Sequence, residues 1–155
     1  MKNETKSERK SDRELVVTRT INGKASTLFN AWTKADLLRR WWVPKSLGLN
    51  LLSCETDPRV GGGYRLVFKH GDGEMAFFGK YLEVTPHSRL SWSNDEGGDG
   101  GPITTVTFEE KEGKTLIVMT DLYPSKDALD AAIASGSTSS SPETFDQLEE
   151  LVASL

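Results

Sequence analysis

Apolar and polar residues alternate with a period of two through most of the chain after residue 50. The alternation predicts six strands, each bounded by residues that favour turns. They are Leu51–Glu55, Gly63–Lys69, Met75–Val84, Arg89–Ser93, Ile103–Glu109 and Thr115–Asp121. A β-branched run, Leu15–Ile21, predicts an earlier strand that ends at the turn pair Asn22-Gly23. Together these segments indicate an antiparallel sheet of about seven strands with one apolar and one wet face.

The segment between the first two predicted strands follows a helical period instead. Apolar residues spaced as i, i+3, i+4 and i+7 predict a helix over residues 25–32; they are Ala25, Leu28, Phe29 and Trp32. Thr33 is placed to cap a second short helix, with Asp36 three residues later and Pro44 to end it. The predicted buried side of that helix consists of Leu37, Leu38, Trp41 and Trp42.

The end of the chain predicts two more helices. Ser141-Pro142-Glu143 combines an N-cap residue, a proline for the first turn and an acidic residue at the positive end of a helix dipole. The apolar stripe of this last helix is Phe145, Leu148, Val152 and Leu155. Residues 125–135 predict the other helix, and the serine-rich segment 135–141 between the two is predicted to be a linker. We expect the last helix to cover the apolar face of the sheet.

Composition places the chain among ordinary globular proteins. It has 155 residues, of which 36% are hydrophobic and 27% charged, a length typical of one domain. No apolar run approaches the roughly 20 residues that span a bilayer, so membrane insertion is not expected. A net charge of −4 disfavours a nucleic-acid partner. Residues 1–14 mix both charge signs without an apolar centre and are predicted to be a flexible arm rather than a secretory signal.

Motifs that carry chemistry are missing from the sequence. His70 and His87 both fall in predicted turns, and no Cys or His pair has the spacing of a metal site. The run Gly61–Gly63 lacks the lysine of a phosphate-binding loop and precedes a strand, where glycine permits a bend. Cys54 has no partner for an internal disulfide, which agrees with a cytoplasmic location. The sequence therefore predicts no catalytic residue, no metal and no cofactor.

Five motifs in a fixed order resemble one family. They are Phe29–Thr33, Leu38–Pro44, Asp57–Tyr64, Gly79–Pro86 and Val106–Glu110. On these motifs the chain resembles the START-like superfamily, also called SRPBCC. Within it, the chain is similar to bacterial proteins related to the C-terminal domain of the activator of the ninety-kilodalton heat-shock protein ATPase. The resemblance implies an α+β helix-grip fold, in which a curved antiparallel sheet wraps around a C-terminal helix, with residues 15–155 as a single START-like domain.

The resemblance also implies a cavity between the sheet and the C-terminal helix that holds an apolar or lipid-like small molecule. Large apolar residues at strand and helix spacing are the candidates for its lining, although each of them is more often plain core than a ligand contact. They are Trp32, Trp41, Trp42, Tyr64, Leu66, Phe68, Phe78, Trp92, Val106, Phe108, Ile117, Met119, Phe145 and Leu148.

Three functions remain open at this point. The first is a non-catalytic binder of an apolar small molecule. The second is a module that interacts with a chaperone, implied by the resemblance to the ATPase activator and its place in the stress response. The third is an enzyme of the cyclase or hydrolase type found elsewhere in the superfamily, which requires a carboxylate, His or Arg that points into the cavity. A homodimer is possible, because exposed strand edges invite pairing.

Overall fold

The structure is a computed structural model that describes residues 5–43, 45–48, 50–95, 101–135 and 141–155. Its main component is an antiparallel sheet. The strands are β1 (Lys6–Arg9), β2 (Glu14–Asn22), β3 (Asn50–Thr56), β4 (Gly63–His70), β5 (Gly73–Thr85), β6 (Arg89–Ser93), β7 (Ile103–Lys111) and β8 (Lys114–Leu122). The seven strands predicted from the sequence are all present, and their ends lie within two residues of the expected positions.

The strands follow the order β1-β2-β8-β7-β6-β5-β4-β3, so β1 and β3 form the two open edges. The eighth strand is β1, which lies where the sequence predicted only a solvated arm. It pairs with β2 from Lys6 opposite Thr18 to Arg9 opposite Leu15. All four of its residues are exposed, so it adds backbone hydrogen bonds to the sheet without adding to the core.

In the part of the chain that the structure describes, two β-bulges interrupt the sheet. One lies in β3 between Leu51 and Ser53, and the other lies in β5 between Tyr81 and Glu83. A bulge bends its strand and raises the local twist. The sheet therefore curves, and the apolar residues collect on its concave face.

Within the described residues, four helices accompany the sheet: α1 (Ala25–Thr33), α2 (Ala35–Leu38), α3 (Lys126–Ala134) and α4 (Ser141–Ser154). A short 3-10 helix covers Lys45–Leu47. The order of strand, two short helices, antiparallel sheet and C-terminal helix is the predicted helix-grip arrangement. The expected stop signal Pro44 and most of the serine-rich linker, residues 136–140, lie outside the described residues.

The start of α2 differs from the prediction. Thr33 does not cap α2, because it is the last residue of α1 and its hydroxyl donates to the carbonyl of Phe29 at 3.0 Å. The N-cap of α2 is Lys34, whose side chain makes no capping bond. The first turn of α1 is instead satisfied from the sheet, since Glu110 of β7 accepts a hydrogen bond from the backbone N–H of Ala25 at 2.7 Å.

The core lies between the concave face and helices α1, α2 and α4. The predicted stripe of α1 is buried, and so are Phe145, Leu148 and Val152 of α4. The C-terminal helix therefore covers the concave face, as the sequence predicted. In α3, by contrast, Leu129 is fully buried while Ile133 is 41% exposed.

Candidate functional site

The four tryptophans form a chain of edge-to-face contacts between the sheet and the pair of helices α1 and α2. Between ring centroids, Trp32 lies 4.6 Å from Trp41, and Trp41 lies 5.3 Å from Trp42. Trp42 in turn lies 6.0 Å from Trp92 of β6. The Trp41 indole is fixed because its N–H donates to the carbonyl of Ala31 at 2.9 Å. Perpendicular ring pairs of this kind are a favoured aromatic geometry, so the four indoles pack as one apolar unit.

A small cavity lies between this helical pair and strands β4 to β6. Its volume is about 20 Å³, which is room for about one water molecule. It is lined by Trp32, Leu38, Trp42, Tyr64, Leu66, Tyr81, Leu90 and Trp92. None of these residues belongs to α4, whereas the resemblance implied a deep cavity between α4 and the sheet. Part of the space expected there is filled by Phe108 and Phe145, whose rings lie 5.3 Å and 6.2 Å from Trp32.

Five of the fourteen predicted lining residues border the cavity: Trp32, Trp42, Tyr64, Leu66 and Trp92. Seven more lie in the surrounding buried core without lining it: Trp41, Phe68, Val106, Phe108, Ile117, Phe145 and Leu148. Met119 is partly buried against that core. The predicted set is thus gathered on the concave side of the sheet, with one exception.

The exception is Phe78, for which the predicted orientation was wrong. It pairs with Arg65 on the convex face and is 38% exposed. There it borders an open groove, and the guanidinium carbon of Arg65 lies 6.0 Å from its ring centroid. The neighbouring Phe77 faces the core instead and lies 5.6 Å from Phe68, ring centroid to ring centroid.

The bulge in β5 explains this error. Val84 and Tyr81 both face the core, although they are three residues apart. Counting back in steps of two from Val84 leads to Phe78, whereas counting back from Tyr81 leads to Phe77. Because the bulge changes the parity of the strand, a strict period of two assigns the wrong phenylalanine to the concave face.

Three lining residues were not predicted: Leu38, Tyr81 and Leu90. Each had a signal in the sequence. Leu38 and Leu90 occupy apolar positions of a predicted helix and a predicted strand, and Tyr81 lies in the Gly79–Pro86 motif. Burial raises the pKa of the Tyr81 phenol well above its ordinary value, with smaller contributions from Cys54 and Asp57. Tyr81 therefore acts at this site as a neutral hydroxyl.

One polar group at the cavity has no partner. The indole N–H of Trp32 is buried, and it makes no hydrogen bond within the described residues. Tyr64 differs, because its hydroxyl donates to the carbonyl of Ser93 at 2.9 Å. A buried donor without an acceptor loses the hydrogen bond that water would give it. Trp32 therefore brings an unpaired hydrogen-bond donor to the border of the cavity.

Two ionisable side chains on the concave face were also not predicted. Arg19 of β2 is 3% exposed, and its guanidinium contacts two carboxylates of α4, Asp146 at 2.7 Å and Glu149 at 2.6 Å. The hydroxyl of Thr5 accepts a further bond from it at 3.0 Å. This buried cation fixes α4 to β2. The alternation in β2 places Arg19 on the same face as Leu15, Val17 and Ile21, but the carboxylates that pair with it lie on a distant helix.

The second ionisable group is Asp121 of β8. Its Oδ1 accepts a hydrogen bond from the hydroxyl of Thr104 in β7 at 2.5 Å. Burial raises the pKa of the Asp121 carboxyl above its ordinary value, and the Thr104 bond partly offsets that rise. A carboxyl held in a low-dielectric setting next to an apolar core is the type of group that anchors the polar end of a ligand.

The segment that carries Trp42 is fixed by α4. The side-chain amide of Gln147 donates to the carbonyls of Trp41 at 2.9 Å and Val43 at 2.8 Å. Its oxygen accepts from the backbone N–H of Lys45 at 2.8 Å. One helical turn earlier, Glu143 accepts bonds from the backbone N–H and the hydroxyl of Ser46. Residues 41–43, 45 and 46, hereafter the tryptophan loop, are thus held by side chains of α4 rather than by a strand ladder.

The described residues contain no group of three or more His, Cys, Asp or Glu side chains arranged to hold a metal ion. Among the helices of the described part of the chain, none has the length and apolar character needed to cross a bilayer.

Comparisons with known proteins place the chain in a family. The model of the family described as Activator of Hsp90 ATPase homolog 1-like protein matches residues 22–153. A crystal structure from Rhodobacter sphaeroides is similar with a TM-score of 0.87 and 25% identity, over 98% of this chain and 99% of that chain. A crystal structure from Nitrosomonas europaea has a TM-score of 0.83 and 21% identity, over 94% and 97% of the two chains.

A crystal structure from Mycobacterium smegmatis has a TM-score of 0.82 and 20% identity, over 97% of this chain and 98% of that chain. No curated protein matches the chain. The family model covers most of the chain, and the structural neighbours share its fold along nearly their whole length. The chain therefore belongs to the family of Activator of Hsp90 ATPase homolog 1-like proteins, within the START-like superfamily.

Proposed function

We propose that the protein binds a small aromatic or otherwise apolar molecule in the cavity beneath its tryptophans. One observation carries the proposal: a cavity walled by aromatic rings is bordered by Trp32, whose buried N–H has no acceptor. Protein interiors rarely leave such a donor unsatisfied, and an apolar pocket with few polar groups is the usual form of a small-molecule site. Membership of the START-like superfamily supports the same function.

The volume of about 20 Å³ describes a closed form. A ligand of even ten heavy atoms needs more room, so one wall must move. The walls from β4, β5 and β6 are tied by strand ladders, whereas Trp42 is half-buried and lies in the tryptophan loop. Displacement of Trp42 enlarges the cavity by the volume of an indole without breaking the sheet. We infer that the tryptophan loop is the entrance.

The test compares wild type with Trp42→Ala, using naphthalene as the probe. Wild type is expected to bind naphthalene with a measurable rise in melting temperature, and Trp42→Ala is expected to bind it more tightly, because the space is already open. Leu151→Ala is the matched control, since it also opens the core but lies outside the cavity lining. Equal naphthalene affinity in both variants, or no binding by any of the three proteins, contradicts the proposal.

The description of the matching family favours a second candidate, a module that acts on a chaperone ATPase. Its test is the ATPase rate of Hsp90 from the same cell, measured with and without this protein. No change in rate and no binding at micromolar concentration would exclude that candidate.

A further inference from the structure

A row of five side chains crosses the concave face from the cavity toward β2. The strand register places Tyr81 beside Trp92, Trp92 beside Thr104, Thr104 beside Asp121, and Asp121 beside Leu15. Tyr81 and Trp92 line the cavity. Asp121 is two strands away from Trp92, which is about 10 Å at the usual strand spacing. A single small molecule is long enough to touch both residues.

Hydrogen bonds along this row run in one direction. The side-chain amide of Asn94 donates to the carbonyl of Pro102 at 2.8 Å and to the hydroxyl oxygen of Thr104 at 3.0 Å. Since the Thr104 oxygen accepts from Asn94, its single proton is directed to Oδ1 of Asp121, 2.5 Å away. Asp121 is therefore the last acceptor of the series. Its other oxygen, Oδ2, makes no hydrogen bond within the described residues.

This arrangement decides whether the end of the row at Asp121 requires a hydrogen-bond donor or an acceptor. A hydroxyl alone can donate or accept, but Thr104 is committed as a donor to Asp121, and in its ionised form the carboxyl of Asp121 offers only acceptor sites. Asp121 is half-buried and Oδ2 keeps some contact with solvent, but the desolvation that raises the pKa of this carboxyl also reduces the competition from water at Oδ2. The chemical group that best satisfies Oδ2 is a hydrogen-bond donor, and a cationic donor gives the strongest bond.

We propose that Oδ2 of Asp121 is the polar anchor of the ligand site, and that the site selects small aromatic molecules whose far end carries a hydrogen-bond donor. The aromatic body lies against Trp32 and Trp92, in the space that Trp42 vacates, and the donor reaches Asp121 along the row. This inference rests on the proposed function. It adds what that function leaves open, namely which end of the ligand is polar and whether it donates or accepts.

A second interaction at the same site also attracts cations, so the test must separate it from the hydrogen bond to Asp121. The indole faces attract a cationic ligand through their quadrupoles, with no contribution from Asp121. Asp121→Asn distinguishes the two origins. It is isosteric and keeps an oxygen for Thr104, but it replaces the acceptor Oδ2 with an amide that donates.

The experiment uses three naphthalenes with the same aromatic body. They are 2-naphthylmethylamine, which donates; 2-acetylnaphthalene, which accepts; and 2-ethylnaphthalene, which does neither. Dissociation constants are measured by tryptophan fluorescence titration and by calorimetry at neutral pH. Wild type is expected to bind the amine about tenfold or more tightly than the ethyl compound, the usual gain from a hydrogen bond to a charged group. Amide shifts at Thr104 and Trp92 should accompany the binding of the amine.

Asp121→Asn is expected to reverse the preference, binding the acetyl compound more tightly than the amine. Asp72→Asn, the same chemical change in the exposed β4–β5 turn, is expected to behave as wild type. If the three probes bind wild type equally, or if Asp121→Asn keeps the preference for the amine, the anchor is refuted while the proposed function stands. If none of the probes binds wild type, both are refuted. Even if Asp121→Asn does not fold, the anchor is refuted when wild type binds the amine no more tightly than the ethyl compound.

Discussion

Replacement of Gln147 by Met tests whether α4 holds the tryptophan loop. The side chain of Gln147 is almost fully buried and makes three hydrogen bonds, two as donor to Trp41 and Val43 and one as acceptor from Lys45. Methionine has a similar length and no amide, so it fills the same space and leaves three backbone groups without their partner.

The expected cost follows from these three bonds. At a net value of about 1 kcal/mol for each bond, less a small gain from burying the thioether, Gln147→Met should lower the free energy of unfolding by about 2–3 kcal/mol. For a domain of this size the melting temperature should fall by about 5–10 °C. The loss is local in origin, so amide exchange at Lys45 should accelerate more than exchange in β7 or β8.

Urea denaturation gives the free energy, and hydrogen exchange followed by NMR gives the local effect. Ala153→Met is the matched control, because it places the same side chain on the exposed face of α4 and should change stability by less than about 0.5 kcal/mol. The loosened loop should also admit naphthalene faster. If Gln147→Met matches the control in stability and leaves Lys45 as protected as before, α4 does not hold the loop.

Two further predictions concern the sheet. Gly79→Ala should lower the free energy of unfolding, measured by urea denaturation, by at least about 2 kcal/mol, because a Cβ at Gly79 overlaps the backbone carbonyl of Ser93. If the variant is as stable as wild type, that close approach is refuted. Asp121→Asn should gain stability relative to wild type as pH rises. The raised pKa of Asp121 means that the folded state of wild type holds this proton more tightly than the unfolded chain does. Wild type therefore loses stability as the carboxyl ionises, whereas the amide does not titrate. The difference between the two denaturation curves should be flat below the ordinary carboxyl pKa of 3.8 and grow through the raised folded value; a difference that shrinks with pH would contradict the assignment.

Elements with strong local periodicity could be predicted from the sequence, and features set by distant contacts could not. The stripe of α1 and the alternation in β7 locate their buried faces directly, because each is a repeat of apolar residues. Phe78 was assigned to the wrong face because one bulged residue in β5 shifts the alternation. Thr33 was assigned as a cap because its hydroxyl was expected to bond forward, whereas it bonds back to Phe29.

The polar residues of the candidate site also could not be predicted, because distant contacts determine their surroundings. Asp121 lies at the end of a strand, where a charged residue is usually solvated. Its partner Thr104 is 17 residues earlier, and the partners of Arg19 are more than 120 residues later. No pattern within one element contains such pairs. They exist only once the strands are in register and α4 is in place.

The outer edge formed by β1 limits how the molecule can associate with itself. If two copies joined through this edge about a two-fold axis, Lys6 of one would lie opposite Arg9 of the other, and Ser7 opposite Glu8. Like charges directly opposite each other on paired strands repel, so pairing of β1 with β1 in this register does not extend the sheet from one molecule to the next. The charges on these four exposed residues thereby disfavour this register of edge-to-edge association between two copies.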